Sequence, residues 1–251
     1  MRTKLLPAVV MVWMLACGAV GGAATTTPTS VPTAAPIQPP VATDQPAPTS
    51  TTVIDPVSFR DDFEGSLGLG WQWIREDSAN WSLTAVPGSL QINVDKGHVI
   101  SADNSNLLLR NAPLQDFRIE TKVNVHPVAN FQFAGLIIFE SPDNFVQAGR
   151  AFCTGNPSCV GDGLYMDYYE GGAFVAPNFA SPFTQADPVY LQITREGNSY
   201  TFQTSVDGTN WELRGTTTSE MKPVQIGLIT GQSSSGVIPA QFDYFVVEGV
   251  P

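Results

Sequence analysis

Among the side chains of this sequence that could do chemistry, the run Tyr165-Met166-Asp167-Tyr168-Tyr169-Glu170 gathers the most. Cleaving a glycosidic bond with retention takes two carboxyl groups about 5 Å apart. Asp167 and Glu170 are three positions apart, so a regular strand points them to opposite faces and they do not make that pair. The same alternation sends Leu164, Met166 and Tyr168 to one face and Tyr165, Asp167 and Tyr169 together to the other. Aromatic rings stack on the C–H face of a pyranose, and neighbouring polar groups bond its hydroxyls. The outward trio is therefore a candidate sugar platform, with Gln147 and Arg150 on the preceding strand adding polar reach. Packing is the competing reading for such rings, and for Trp71, Trp73, Trp81 and Trp211 it is preferred, because large aromatics fill sandwich interiors.

Other reactive groups lack partners. The segment GQSSSG, 231–236, does not follow the G-x-S-x-G pattern and reads as a flexible turn. His126 precedes a proline at a strand end, where a lone histidine is structural or solvated. With His98 as the other histidine and no CxxC, zinc has no ligand set. Cys153 and Cys159, with five residues between them across a Gly-Asn-Pro turn, read instead as a disulfide. Closing so short a loop contributes roughly 2 to 3 kcal/mol in the chain-entropy model.

The elements that carry these groups are strands. From Ser199 to Val206 apolar and polar residues alternate with period two, and Asp207-Gly208 then supplies the positive φ that reverses the chain before Trp211. This hairpin is similar to the Asp-box of sialidase propellers, but it lacks the residue between Asp and Gly, and no blade-length repeat recurs. Strands are expected at 70–75, 81–83, 89–94, 107–110, 117–125, 131–140, 145–152, 164–169, 189–196, 199–206, 212–216, 224–230 and 240–247. Sustained helical periodicity is missing. The expected fold is all-β, a two-sheet antiparallel β-sandwich of the jelly-roll kind spanning residues 53–251.

Composition narrows the partners. A net charge of −11 over 251 residues leaves no basic stripe to displace counterions from phosphates, which argues against nucleic acid and favours neutral or cationic ligands. The chain opens with Arg2 and Lys4, then an apolar run from Leu5 to Ala16 too short to span a bilayer comfortably. That run ends in Met14-Leu15-Ala16-Cys17-Gly18, which resembles the bacterial lipobox and marks Cys17 for lipidation; cleavage near Gly21 to Ala24 is the alternative. Residues 18–52 are dominated by Thr, Pro, Ala and Ser and cannot bury a core. They read as an extended stalk rising about 3.1 Å per residue, from a membrane-anchored, extracytoplasmic end.

Taken in order, DDFEG (61–65), WQWIREDSANWSL (71–83), LLLR (107–110), AGLIIFESPDNFVQAGR (134–150) and VYLQITREGNSYTFQTSVDGTNW (189–211) resemble the concanavalin A-like β-sandwich that follows the catalytic propeller in family-43 β-xylosidases. The resemblance covers nearly all of residues 57–248, and the propeller itself is not encoded. Concanavalin-like glucanases carry Glu-x-Asp-x-x-Glu on one strand, and here Tyr165 stands where the nucleophile would be. Related modules hold a structural Ca²⁺ where first and last strands meet, which implies Asp62 and Asp243 as ligands. The resulting expectation is a non-catalytic, lipid-tethered module that binds a polysaccharide or glycan. A glycosidase acting on xylan-type polysaccharide and a structural protein-protein module are the alternatives.

Overall fold

The computed structural model describes residues 58–175 and 179–250. The expected signal peptide, Cys17, the 18–52 stalk and residues 53–57 lie outside them.

Sixteen strands are described. They are β1 Ser58–Asp61, β2 Gln72–Ile74, β3 Trp81–Ser82, β4 Leu90–Val94, β5 Leu107–Asn111, β6 Phe117–Asn124, β7 Phe133–Ser141 and β8 Asn144–Cys153. After these come β9 Gly161–Glu170, β10 Ala173–Phe174, β11 Phe179–Pro182, β12 Val189–Glu196, β13 Ser199–Ser205, β14 Glu212–Thr218, β15 Gln225–Gly231 and β16 Ile238–Gly249. They form two antiparallel sheets. One runs β14-β13-β12-β6-β16-β4-β3 with β1 also on β16, and the other runs β10-β9-β8-β7-β15-β5-β2 with β11 also on β9. This is the expected two-layer sandwich.

The hydrophobic pattern explains why the two sheets read differently in sequence. In the first, β6 alternates strictly between buried and more exposed positions, so Phe117, Ile119, Thr121 and Val123 face inward. In the second, runs such as Leu107-Leu108-Leu109 and Leu136-Ile137-Ile138 are buried throughout. Alternate residues of these runs enter two different apolar clusters. Leu108, Leu136, Ile138, Leu164 and Met166 join the inter-sheet core with Ile119, Leu191 and Phe202. Leu107, Leu109, Ile137, Phe145 and Tyr165 pack on the far side of the sheet. Where a sheet is covered on both faces, its strands read as continuous apolar runs rather than as an alternation. Burying each of these large side chains stabilises the fold by about 1.5 to 3 kcal/mol before entropy is subtracted.

Asp207-Gly208 turns the β13-β14 hairpin as expected. The Asp207 carboxylate accepts the backbone N–H groups of Thr209 and Asn210, both at 2.8 Å, and the Asn210 side-chain amide at 2.7 Å. These bonds, that from the Asn210 backbone foremost, hold Asp207 below the usual carboxylate range. Trp71, Trp73 and Trp81 pack against the inter-sheet core, whereas Trp211 is half-buried just before β14. Three strands escape the sequence pattern. β1 has one apolar residue, β10 has two exposed residues, and β11 carries a proline and pairs only along the β9 edge.

Candidate functional site

The far side of the second sheet is open where β7, β8 and β9 run together. Register places Phe145 opposite Tyr169, Gln147 opposite Asp167, and Gly149 opposite Tyr165. Phe145 and Tyr169 stack, with centroids 4.6 Å apart and planes 18° apart. Gln147 is fully buried; its amide donates to Asp167 Oδ2 at 3.2 Å, and its Oε1 accepts from Gln232 Nε2 at 3.2 Å. A line of polar groups thus runs across the sheet to a carboxylate at the floor of a cavity of about 560 Å³. That volume lies within the range of small-molecule sites, about 300 to 1,000 Å³.

One wall is the β4-β5 connection. Gly97 adopts φ +99°, and a Cβ there would lie 2.6 Å from the Asn104 backbone, so only glycine lets the loop fold back on itself. The turn brings the His98 backbone N–H to Asp103 Oδ1 at 2.7 Å and sets the His98 ring edge-on to Tyr169 at 5.4 Å. The Ile100 N–H donates to His98 Nδ1 at 3.1 Å, so the neutral ring carries its proton on Nε2, 3.3 Å from the Tyr169 hydroxyl. Burial pushes His98 below its ordinary pKa, and the Asp103 charge opposes this in part. Burial, helped by Asp167, pushes the Tyr169 phenol far above its own.

The opposite wall is the 153–160 loop, closed by a Cys153–Cys159 disulfide with Cα atoms 5.0 Å apart. Tyr165 anchors it from beneath, donating its hydroxyl proton to Gly161 O at 2.9 Å and accepting from Val160 N–H at 3.0 Å. Thr154 N–H donates to Asn130 Oδ1 at 2.7 Å, and Phe131 N–H to Phe152 O at 2.7 Å, which ties this wall to the rim. Two rim rings, Phe131 and Phe174, are 51% and 44% exposed. Phe174 meets Tyr169 edge-on at 5.6 Å.

Tyr165, Asp167, Tyr169 and Gln147 are therefore brought together, and in one respect differently from expectation. Tyr165 is only 5% exposed, and its hydroxyl is committed to the loop. Arg150 is not part of the site. It stands three positions from Gln147 on one strand and so points the other way, into the sandwich, by the rule that separates Asp167 from Glu170. There, 1% exposed, Arg150 donates to Asp187 at 3.0 Å, to Asp162 at 2.5 Å and to Gly163 O at 3.0 Å, with Phe183 beneath its guanidinium. Burial works to lower its pKa, but the bonds to Asp187 and Asp162 outweigh it and hold Arg150 raised.

The first and last strands do meet, since β1 pairs with β16. Asp62, however, is bonded to Arg60 at 2.8 Å, and Asp243 to Lys122 at 2.5 Å and to the Ser89 hydroxyl at 3.0 Å. Among the described residues no three His, Cys, Asp or Glu side chains group as a metal site. Carboxylates already facing cations make a poor donor set for Ca²⁺, so the residues present do not fit the ion. His126 is exposed, 3.6 Å from Asp187. The 231–236 turn is anchored rather than free. Gln232 N–H donates to Gly97 O at 2.9 Å, and the Ser233 hydroxyl donates toward Gly236 O at 2.8 Å.

Sequence reasoning missed His98, Asp103, Phe131, Phe174 and Gln232, all of which line the cavity. His98, Asp103, Phe131 and Gln232 sit in connections, where no periodicity reports direction, and Phe174 ends the two-residue β10, too short to show one. The available signal was a ring beside a turn, as with Phe174 after Gly171-Gly172.

Two stacked antiparallel sheets with a ring-lined hollow over one outer face define a concanavalin A-like sandwich module. The chain belongs to the beta xylosidase C-terminal concanavalin A-like domain family, whose profile matches residues 60–248. It is 24% identical over 197 residues to the non-reducing end alpha-L-arabinofuranosidase BoGH43B of Bacteroides ovatus, covering 74% of this chain and 36% of that protein. Among solved structures it superposes on the GH43 protein BlXynB from Bacillus licheniformis with a TM-score of 0.67 at 21% identity, covering 76% of this chain and 39% of that one. On the xylan beta-1,4-xylosidase from Bacillus halodurans C-125 the TM-score is 0.62 at 21% identity, covering 75% and 38%. The chain thus spans little more than a third of the length of these relatives, and at this identity the structural likeness speaks to the fold.

Proposed function

We propose that the cavity over β7, β8 and β9 binds carbohydrate without cleaving it, on a chain tethered outside the cell through Cys17. The observation that carries this reading is the convergence of Tyr169, Phe174 and Phe131 around the hydrogen-bonded Asp167 in a hollow of sugar-binding size. A saccharide presents apolar C–H faces and hydroxyls together, and this lining offers rings for the first and acceptors for the second. Membership in a module family of beta xylosidases, with relatives named for arabinofuranosidase and xylosidase activity, makes plant cell-wall xylan and its side chains the first ligands to try. Tethering supports the same role, because an anchored module gains effective concentration at a surface polymer without high affinity per site.

The test is affinity electrophoresis and calorimetry of the full chain with xylan, arabinoxylan and soluble xylo-oligosaccharides. Retardation by one of these, with no reducing sugar released over hours, supports the reading. Release of reducing sugar that is lost in Asp167→Asn favours a glycosidase instead. Silence in both assays leaves a protein-protein role and overturns the proposal.

A further inference from the structure

Granting that the cavity is a saccharide site, its lining also carries information about ligand charge. Two carboxylates face it, Asp103 on one wall and Asp167 on the floor. Among the described residues no lysine or arginine lines it. Of the nearby cations, Lys96 beside Gly97 lines a separate hollow with Asn80 and Thr230, and the two arginines are occupied elsewhere. Arg75 donates to Asn104 O at 2.6 Å and is not on the lining, and Arg150 lies on the opposite face of the sheet between Asp162 and Asp187. His98 offers no compensating charge at neutral pH, since its Nδ1 already accepts from Ile100 N–H.

From this arrangement we infer that the cavity discriminates by charge, admitting uncharged saccharides and excluding those that carry a carboxylate or sulfate group. Ionised carboxylates only accept hydrogen bonds, and sugar hydroxyls supply donors to them. A uronate or sulfate supplies further acceptors and a like charge, in a half-apolar hollow where screening is weaker than in water. The acid sugar therefore meets repulsion without a partner. That is selectivity through an unfavourable contact rather than a better favourable one.

The experiment compares, by calorimetry on the full chain, a neutral xylo-oligosaccharide with the same oligomer bearing one uronic acid side group. The expected result is at least ten-fold weaker binding of the acidic oligomer at low ionic strength, with the gap narrowing as salt is added. Asp103→Asn, which keeps an acceptor for the His98 N–H, narrows the gap further, and Asp167→Asn is the second variant should the first fold poorly. Equal affinities, or tighter binding of the acidic oligomer, overturn the charge rule while leaving the saccharide site standing. Binding of neither oligomer nor polymer overturns both.

Discussion

Gln147 and Asp167 stand opposite one another on β8 and β9, and the Gln147 amide spans the 3.2 Å between them while accepting from Gln232 on its other side. A fully buried side chain that donates to a carboxylate tolerates no second negative charge. Gln147→Glu keeps the shape and removes the donor, so it is expected to destabilise the fold by about 3 kcal/mol at pH 7. Burial and Asp167 raise the folded-state pKa of the new carboxyl above the unfolded value of about 4.3. The loss therefore grows as pH rises through the folded pKa and is gone below pH of about 4.3, where both states are protonated. Urea melts at pH 4 and pH 7 give the comparison.

Phe174 is nearly half exposed and touches Tyr169 only by its edge. Phe174→Ala should leave stability within about 0.5 kcal/mol while weakening saccharide binding up to about ten-fold, the worth of one ring contact. Tyr169→Ala should weaken binding at least as much, and it also costs stability because it strips a stacked partner from Phe145. Paired calorimetry and thermal melts separate the two effects.

The Cys153–Cys159 bridge holds one wall of the cavity. The double variant Cys153→Ser, Cys159→Ser should lose about 2 to 3 kcal/mol. Its binding should weaken at temperatures well below its melt, because the loop above Tyr165 loses its closure. Unchanged affinity in the folded double variant would show that this wall does not contact ligand.

His98 is held neutral by burial, with a folded pKa below the ordinary 6.5. The unfolded chain therefore takes up a proton first as pH falls. The stability this histidine contributes is complete above about pH 6.5 and is lost as pH drops through the folded value. Melts of the wild type between pH 7 and 4.5 should steepen relative to those of His98→Gln, which has nothing to titrate there.

Arg150→Met keeps the packing on Phe183 but strands two carboxylates inside the sandwich. A loss of about 3 kcal/mol is expected, near the lower end for breaking a buried pair because Asp162 keeps some solvent. Saccharide affinity per folded molecule should not change, since Arg150 is on the other side of the sheet. Denaturation and calorimetry on one preparation check both halves.

What the amino-acid pattern made legible depended on periodicity. The alternation of β6 and of most of β13, and the parity of Tyr165, Asp167 and Tyr169, carry direction as well as secondary structure, and the first sheet and the floor of the cavity followed from them. Arg150 was misassigned although the same parity, applied from Gln147, turns it inward. Of the walls, the Cys153–Cys159 loop was legible from its cysteines, and the His98 wall was not. His98 and Asp103 are brought to Tyr169 by one glycine's backbone conformation and by bonds between distant loops, such as Gln232 N–H to Gly97 O. Long-range closure of that kind leaves no local trace. At Asp62 and Asp243 the converse holds: positional likeness indicated two aspartates but not the Arg60 and Lys122 that face them.

The pairing of β1 with β16 puts Ser58 opposite Glu248. Entrance and exit of the folded body thus share one doorway, and a polypeptide can be led in and out there without crossing either sheet. Such a body suits splicing into a surface loop of a host protein, or rejoining of its ends with new termini cut at an exposed hairpin such as Asp207-Gly208.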